Sequence, residues 1–191
     1  MKSPLPKVYL AGFDVFLPNS LAKGEYLKEL CTFHGFQGLY PMDNQVPPRM
    51  SKAEMAAWIC KANQAMIHEA DYVLANLNPF RGHEPDSGTA YEVGYASALG
   101  KPIWGYSQDH SPMIEQVPNR DGFDEEGFAV EDFDLSHNLM IATSWAGLST
   151  SVEVAIQELL QYHLMHKTLK DQDAAPAKVT REAKELALDP L

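Results

Sequence analysis

Residues 71–106 read DYVLANLNPFRGHEPDSGTAYEVGYASALGKPIWGY, and the order of patterns in them decides the fold. Asp71-Tyr72-Val73-Leu74-Ala75-Asn76-Leu77 is a largely apolar run of strand length, as a strand covered on both faces requires. Asn78 to Ser87 carries Pro79, Gly82 and Pro85, breakers that make it a loop. Gly88 to Leu99 is helical in character and stops at Gly100, after which Pro102-Ile103-Trp104-Gly105-Tyr106 is again strand-like. A strand, a crossover helix and a second strand place the two strands in parallel.

The same alternation precedes this unit. Val8-Tyr9-Leu10-Ala11 is a short apolar strand ending at Gly12, and residues 21–33 carry apolar residues at helical intervals. Gly35 to Tyr40 forms a second strand closed by Pro41, which leads into a polar loop over Met42 to Met50. Ser51-Lys52-Ala53-Glu54 matches a capping box and starts a helix that runs to about Ala70. The expected fold is a three-layer α/β domain, a mostly parallel Rossmann-like (flavodoxin-like) sheet of four to five strands with helices on both faces.

After the fourth strand the pattern breaks down. Residues 107–136 hold nine acids against one base, Arg120, and read as an acidic loop insertion. A short helix is expected within 138–145 and a stronger one over 151–167. The domain therefore spans 1–167, with 168–191 a polar C-terminal tail that can at most form a frayed helix.

Composition narrows the function classes. The 191 residues are 45% apolar and 21% charged, the balance of a globular chain of about one domain. A net charge of −11 repels polyanions, so neither nucleic acid nor an anionic membrane is expected as a partner. The longest stretch free of charged residues, Leu135 to Val152, is interrupted by His, Asn, Ser and Thr and is too polar to cross a bilayer. Two prolines break the N-terminal MKSPLPKVYLAG, which does not read as an export signal. With only Cys31 and Cys60, no disulfide framework is needed, and a reducing cytoplasm is the expected location.

In an open parallel sheet, ligands settle beyond the carboxyl ends of the strands. The residues to weigh are therefore those of Ala11-Gly12-Phe13-Asp14-Val15-Phe16, of Met42-Asp43-Asn44-Gln45, and of the loop from Asn78 to Glu92. In that last loop Asp86 stands at a helix start and Glu92 in its second turn. Burial would raise the pKa of Glu92, whereas the helix dipole and hydrogen-bond donors would lower it, and a nucleophile requires the second influence to win. Taken without their neighbours, Asp86 is equally a helix cap and Glu92 equally an exposed helix acid.

No GxGxxG turn follows the first strand and no Walker loop exists, so no dinucleotide or other cofactor is expected. His163 and His166 lie three apart but lack a carboxylate cluster, so no metal chemistry is expected. Trp58, Trp104 and Trp145 are assigned to packing.

Several runs together resemble the nucleoside 2-deoxyribosyltransferase family. They are Tyr9-Leu10-Ala11-Gly12 with Val15-Phe16, Asp43-Asn44-Gln45, Asn78 through Gly94, and His137-Asn138-Leu139-Met140. The resemblance covers about residues 7–165 and is most specific in the long third loop, whose sequence is similar to the purine-preferring branch. It implies Glu92 as nucleophile and Asp86 as a carboxylate that holds the deoxyribose. Tyr9 and Phe16 fall at pocket walls, and Gln45 and Asn63 at the base. Asn138, with Met140 beside it, would be lent by a neighbouring subunit to the sugar's 5′-hydroxyl, which implies a homo-oligomer. Many members carry Asp at the position of Asn63; an amide can donate a hydrogen bond there but cannot act as a general acid.

The implied reaction is a retaining, two-step transfer of 2-deoxyribose between a deoxynucleoside and a free nucleobase through an ester on Glu92. Two alternatives stay open at this point. One is a deoxynucleoside or deoxynucleoside 5′-monophosphate N-glycosidase that passes the sugar to water; the other is a nucleoside-binding regulatory domain without catalysis. Net acidity, with only Arg49 and Arg81 in the candidate loops, favours a nucleoside over a nucleotide.

Overall fold

Five strands form one parallel sheet in the order β2-β1-β3-β4-β5 in a computed structural model that describes residues 4–173. They are β1 Lys7–Ala11, β2 Gln37–Leu39, β3 Tyr72–Asn76, β4 Ile103–Tyr106 and β5 Gly147–Ser149. The helices are α1 Ser20–Phe33, α2 Lys52–Glu69, α3 Ser87–Ala98, the short α4 Met113–Gln116 and α5 Leu139–Ala142, and α6 Val152–Asp173. The fold is the expected three-layer α/β arrangement, with the sheet fully parallel and five-stranded.

Strand alternation divides the core. Val8 and Leu10 turn to one face, where α1 crosses so closely that a Cβ on Gly38 would meet Leu10 and the Lys28 backbone at 3.2 Å. Tyr9 and Ala11 turn to the other, packing with Ile67 of α2, Val93 and Ala96 of α3, and Val73 and Ala75 of β3. All of these are buried, and at about 25 cal/mol per Å² their apolar surface is the main stabilising contribution.

Both long helices on the Tyr9 face begin where the sequence places a cap. Ser51 accepts from the Glu54 amide and Glu54 reaches back to the Ser51 amide, the capping box expected for α2. Asp86 caps α3 by accepting from the Thr89 amide at 3.0 Å. In the order β2-β1-β3, β2 is added on one side of β1 and β3 on the other, and this switch opens a crevice beyond the carboxyl ends of β1 and β3.

Two features that the sequence expectation lacked have physical causes. The strand β5 was not singled out because Gly147–Ser149 has three residues and only one of them, Leu148, is large; it forms by pairing with β4 at the sheet edge. The acidic segment holds local order without any sustained period: Arg120 and Phe123 form an antiparallel bridge, as do Phe123 and Ala129, and Asp124 accepts from the Glu126 and Phe128 amides. It is anchored at its end by His137, 4% exposed, whose Nε2 lies 3.0 Å from the Leu77 carbonyl.

The chain divides into two units, Met1–Glu158 and Leu159–Leu191. The second is, among its described residues, the C-terminal part of α6, where the His166 ring lies 3.9 Å from that of Tyr162. The helix expected to end at Lys167 continues to Asp173, and the tail beyond 173 lies outside the described residues.

Candidate active site

A cavity of about 400 Å³ opens in the crevice beyond β1 and β3. Its walls are apolar, with Val15, Phe16, Met42, Val46, Trp58 and Ile59 facing a polar end formed by Asn63, Asp86, Thr89 and Glu92. Such a shape suits a flat heterocycle joined to a polar, hydroxyl-bearing group. Trp58, assigned to packing from sequence, belongs to this wall.

Glu92 is partly buried in the second turn of α3. The Tyr9 hydroxyl, on a wholly buried side chain of β1, donates to its Oε1 at 2.6 Å. Asn63 Nδ2, from α2, donates to the same oxygen at a long 3.4 Å. Among the described residues nothing donates to Oε2, so one oxygen is held and the other is left for a ligand. Burial pushes the Glu92 carboxyl up to about 7, with the negative field of Asp86 adding to it; the bonds from Tyr9 and Asn63 work in the other direction. Burial thus outweighs the donors, the reverse of what the sequence argument asked of a nucleophile, because both donors act on one oxygen and one of them is long.

Asp86 Oδ2 accepts from the Thr89 amide and hydroxyl, at 3.0 and 3.2 Å. The helix-cap reading is correct, yet the side chain also lines the cavity, because Gly88 leaves room where a Cβ would stand 2.9 Å from Oδ2. Asn63 lines the cavity too, and its Oδ1 is buried without a partner. A buried acceptor with no donor is costly unless a ligand or water supplies one.

Phe16 is 58% exposed and stacks on Phe80, ring centres 5.4 Å apart, while Phe13 stacks on Phe80 at 5.2 Å. Arg81, held at a φ of 55°, places its guanidinium 4.7 Å from the Phe80 ring centre and 5.7 Å from that of Phe16. The first and third loops are thereby joined at the cavity mouth.

The remaining sequence candidates lie elsewhere in this chain. Gln45 is exposed outside the lining, whereas its neighbour Val46 contributes to the wall, as does Asn44, since an extended backbone turns successive side chains to opposite sides. Asn138 caps α5, donates to Glu131 Oε1 at 2.6 Å and accepts from the Met140 amide; Met140 is 70% exposed. Neither reaches the cavity of its own chain. Met42 belongs to a loop that the sequence points to, whereas Val46 and Ile59 do not stand out there, for apolar loop and helix residues carry no local signal that separates a pocket wall from core.

Comparison with known proteins agrees with this geometry. The sequence model described as "Nucleoside 2-deoxyribosyltransferase" matches residues 8–140, which include all of β1 but Lys7, together with Asn63, Asp86 and Glu92. A 2-deoxyribosyltransferase structure from Leishmania mexicana is 34% identical and superposes with a TM-score of 0.68, covering 83% of this chain and 99% of that one. A 2-deoxyribosyltransferase from Bacillus psychrosaccharolyticus, 22% identical, shares the fold at a TM-score of 0.52 over 76% of this chain and 87% of its own. An uncharacterized protein of Schizosaccharomyces pombe is 38% identical over 116 residues; the match spans 59% of this chain and 55%, about half, of that relative's length. With the family's sequence pattern running through both the crevice strand and the acid at its polar end, the chain belongs to the nucleoside 2-deoxyribosyltransferase family.

Proposed function

We propose that the protein moves 2-deoxyribose between nucleobases by a double displacement on Glu92. The observation that carries this reading is the asymmetry of that carboxylate: Oε1 is fixed by Tyr9 and Asn63, and Oε2 is free at the polar end of an apolar cavity. Oε2 attacks C1′ of a deoxynucleoside, the C1′–N bond breaks, and the base departs with that electron pair and a proton from water. A nitrogen of the second base then attacks C1′ from the side the first one left; the C1′–Oε2 ester bond breaks with its electron pair returning to the Glu92 carboxylate, and the proton shed by that nitrogen goes to the hydroxide left in the first step. Two inversions give net retention.

The two steps make opposite demands on the acid. A carboxylate whose pKa stands near 7 is a stronger nucleophile than an ordinary one, while only about half of it is ionised at that pH. As the positive charge grows on the sugar ring, the burial that raised the pKa also strengthens the attraction between ring and carboxylate. Asp86 keeps Oδ1 free of protein donors and holds a sugar hydroxyl. Phe16, Trp58 and Met42 enclose the base.

Purines are the favoured bases in this reading. The unpartnered Oδ1 of Asn63 accepts from an N–H on the base edge, and because Asn63 carries no ionisable proton it binds the base without protonating it. Asn138 and Met140, remote from their own cavity, serve a neighbouring subunit, so the working form is a homo-oligomer. The acceptor is a free base in a cytoplasmic salvage reaction, and residues 1–167 form the catalytic domain.

Incubation with deoxyinosine and adenine tests the proposal, with products separated by chromatography. Deoxyadenosine and hypoxanthine in equal amounts are expected. Free deoxyribose without deoxyadenosine would identify a hydrolase instead, and unchanged substrate would remove the catalytic reading.

A further inference from the structure

A second acid lies beneath the cavity floor, and the reaction just described leaves it without a role. Asp14, in the turn after β1, is 4% exposed, and a buried carboxylate persists only where donors satisfy it. Asn76 Nδ2, at the end of β3, donates to Asp14 Oδ2 at 2.8 Å in a buried bond. Lys23 of α1 stands 4.0 Å from Oδ1. Tyr40, 2% exposed, has its own hydroxyl buried without a partner among the described residues, and burial, with the charges of Asp14 and Asp43 adding to it, pushes that hydroxyl up to about 12.

The chain of bonds continues outward. Asn76 Oδ1 accepts from Asn78 Nδ2 at 2.8 Å and from the Asn78 amide at 3.2 Å. Asn78 Oδ1 in turn accepts from the Gln108 amide at 2.9 Å. Asp14 thus sits at the root of a polar chain that ties the first loop to the third and to the start of the acidic segment. Directly above the root is Gly12, part of the cavity lining: a Cβ there would stand 2.7 Å from Asp14 Oδ2 and 2.8 Å from Asn76 Cβ. Cavity floor and polar chain are in contact, and Val15 and Phe16 of the wall flank Asp14 in the same turn.

We infer that Asp14 is the positioning residue of this site, fixing the loop that carries Gly12, Val15 and Phe16 against the loop that carries Asp86, so that the base-binding wall is formed before substrate arrives. It touches no substrate and acts through the wall. The inference rests on the proposed transfer for its substrate, and on the bond network for its mechanism. Because the wall contacts the base equally in ground and transition states, loosening it raises KM more than it lowers kcat.

The test is steady-state base exchange with deoxyinosine and adenine by Asp14→Ala, Asp14→Asn and Asn78→Ala, assayed at least 15 °C below each variant's melting temperature. Asp14→Ala is expected to raise KM for deoxyinosine by about tenfold or more, with a kcat change several-fold smaller. Asp14→Asn, which keeps an acceptor for Asn76, should return KM to within about threefold of wild type. Asn78→Ala, one link farther out, should raise KM by a smaller factor than Asp14→Ala. A purely structural acid would lower the melting temperature and leave KM of the folded enzyme alone. KM within twofold of wild type for both alanine variants overturns the inference, and if Asp14→Ala does not fold, an unchanged KM for Asn78→Ala overturns it alone. Should wild type prove inactive, the transfer reading fails, and calorimetric Kd values for deoxyinosine replace KM in the same comparison.

Discussion

Asp14 and Glu92 are two acids withdrawn from water at the same end of the same sheet, and their surroundings differ in one respect. Asp14 lies outside the cavity lining, accepts from Asn76 and stands 4.0 Å from Lys23, so that it links the first loop to β3 and α1. Glu92 receives donors on a single oxygen, and its other oxygen belongs to a cavity. A buried carboxylate bonded across elements and closed off from the cavity is suited to architecture; one with an oxygen beside open space is available for chemistry. Burial alone therefore does not separate structural from reactive acids, whereas access to the cavity does.

The largest expected effect breaks the comparison at its reactive side. Glu92→Ala should lower base exchange by roughly 10⁴-fold with the fold retained, measured by product formation and circular dichroism. Residual exchange near the wild-type rate would place the chemistry on another group.

Stability should change in the opposite direction. The Glu92 carboxyl rises from 4.5 to about 7 on folding, so folding is opposed by its ionisation. That penalty is absent well below pH 4.5, grows as pH rises between the two values, and is complete above 7. Glu92→Gln removes the ionisation and should stabilise the protein by about 2–3 kcal/mol at pH 8 and by almost nothing at pH 4, read from denaturant unfolding. An equal change at both pH values would show that the gain does not come from ionisation.

At the structural acid, Gly12→Ala pushes a methyl group between Asp14 and Asn76. A destabilisation of about 1–3 kcal/mol is expected, together with a raised KM for the deoxynucleoside. Loss of stability without a change in KM would separate the floor from the polar chain.

The pH profile gives the finest distinction. kcat/KM should climb tenfold per unit below about pH 7 and level off above it, following ionisation of Glu92. Tyr9→Phe removes the stronger of the donors that lower this pKa, so the midpoint should move to higher pH. A profile that stays in place would mean that Tyr9 shapes the site without tuning its acid.

Much of this was legible in the sequence, and the unread parts share a cause. Strands β1 to β4 and helices α1 to α3 follow from apolar runs, breakers and the Ser51 box, because each of these signals is local. The places of Asp86 at the start of α3 and of Glu92 in its second turn were legible because a loop-to-helix transition fixes where both side chains begin. By contrast Asp14 is one letter in Phe13-Asp14-Val15-Phe16, and its partners arrive from residues 23 and 76. Only the strand order brings those positions together. The Glu92 pKa was unreadable for a related reason, since its direction depends on how deeply the fold buries the carboxyl and on the donors that Tyr9 and Asn63 bring to it. Gln45 and Val46 exchange places with respect to the cavity by a single step of backbone alternation, a detail that loop composition does not fix.

The central claim is that Glu92 carries the sugar as an ester between two bases. Its most direct test is intact-protein and peptide mass spectrometry after incubation with a 2-fluoro-2-deoxy nucleoside analogue, whose fluorine slows turnover of the ester by disfavouring positive charge at C1′. The account predicts a single added fluorinated pentosyl group located on Glu92 and released by a free purine. An adduct on another side chain, or no adduct from an enzyme that is active in base exchange, would contradict it.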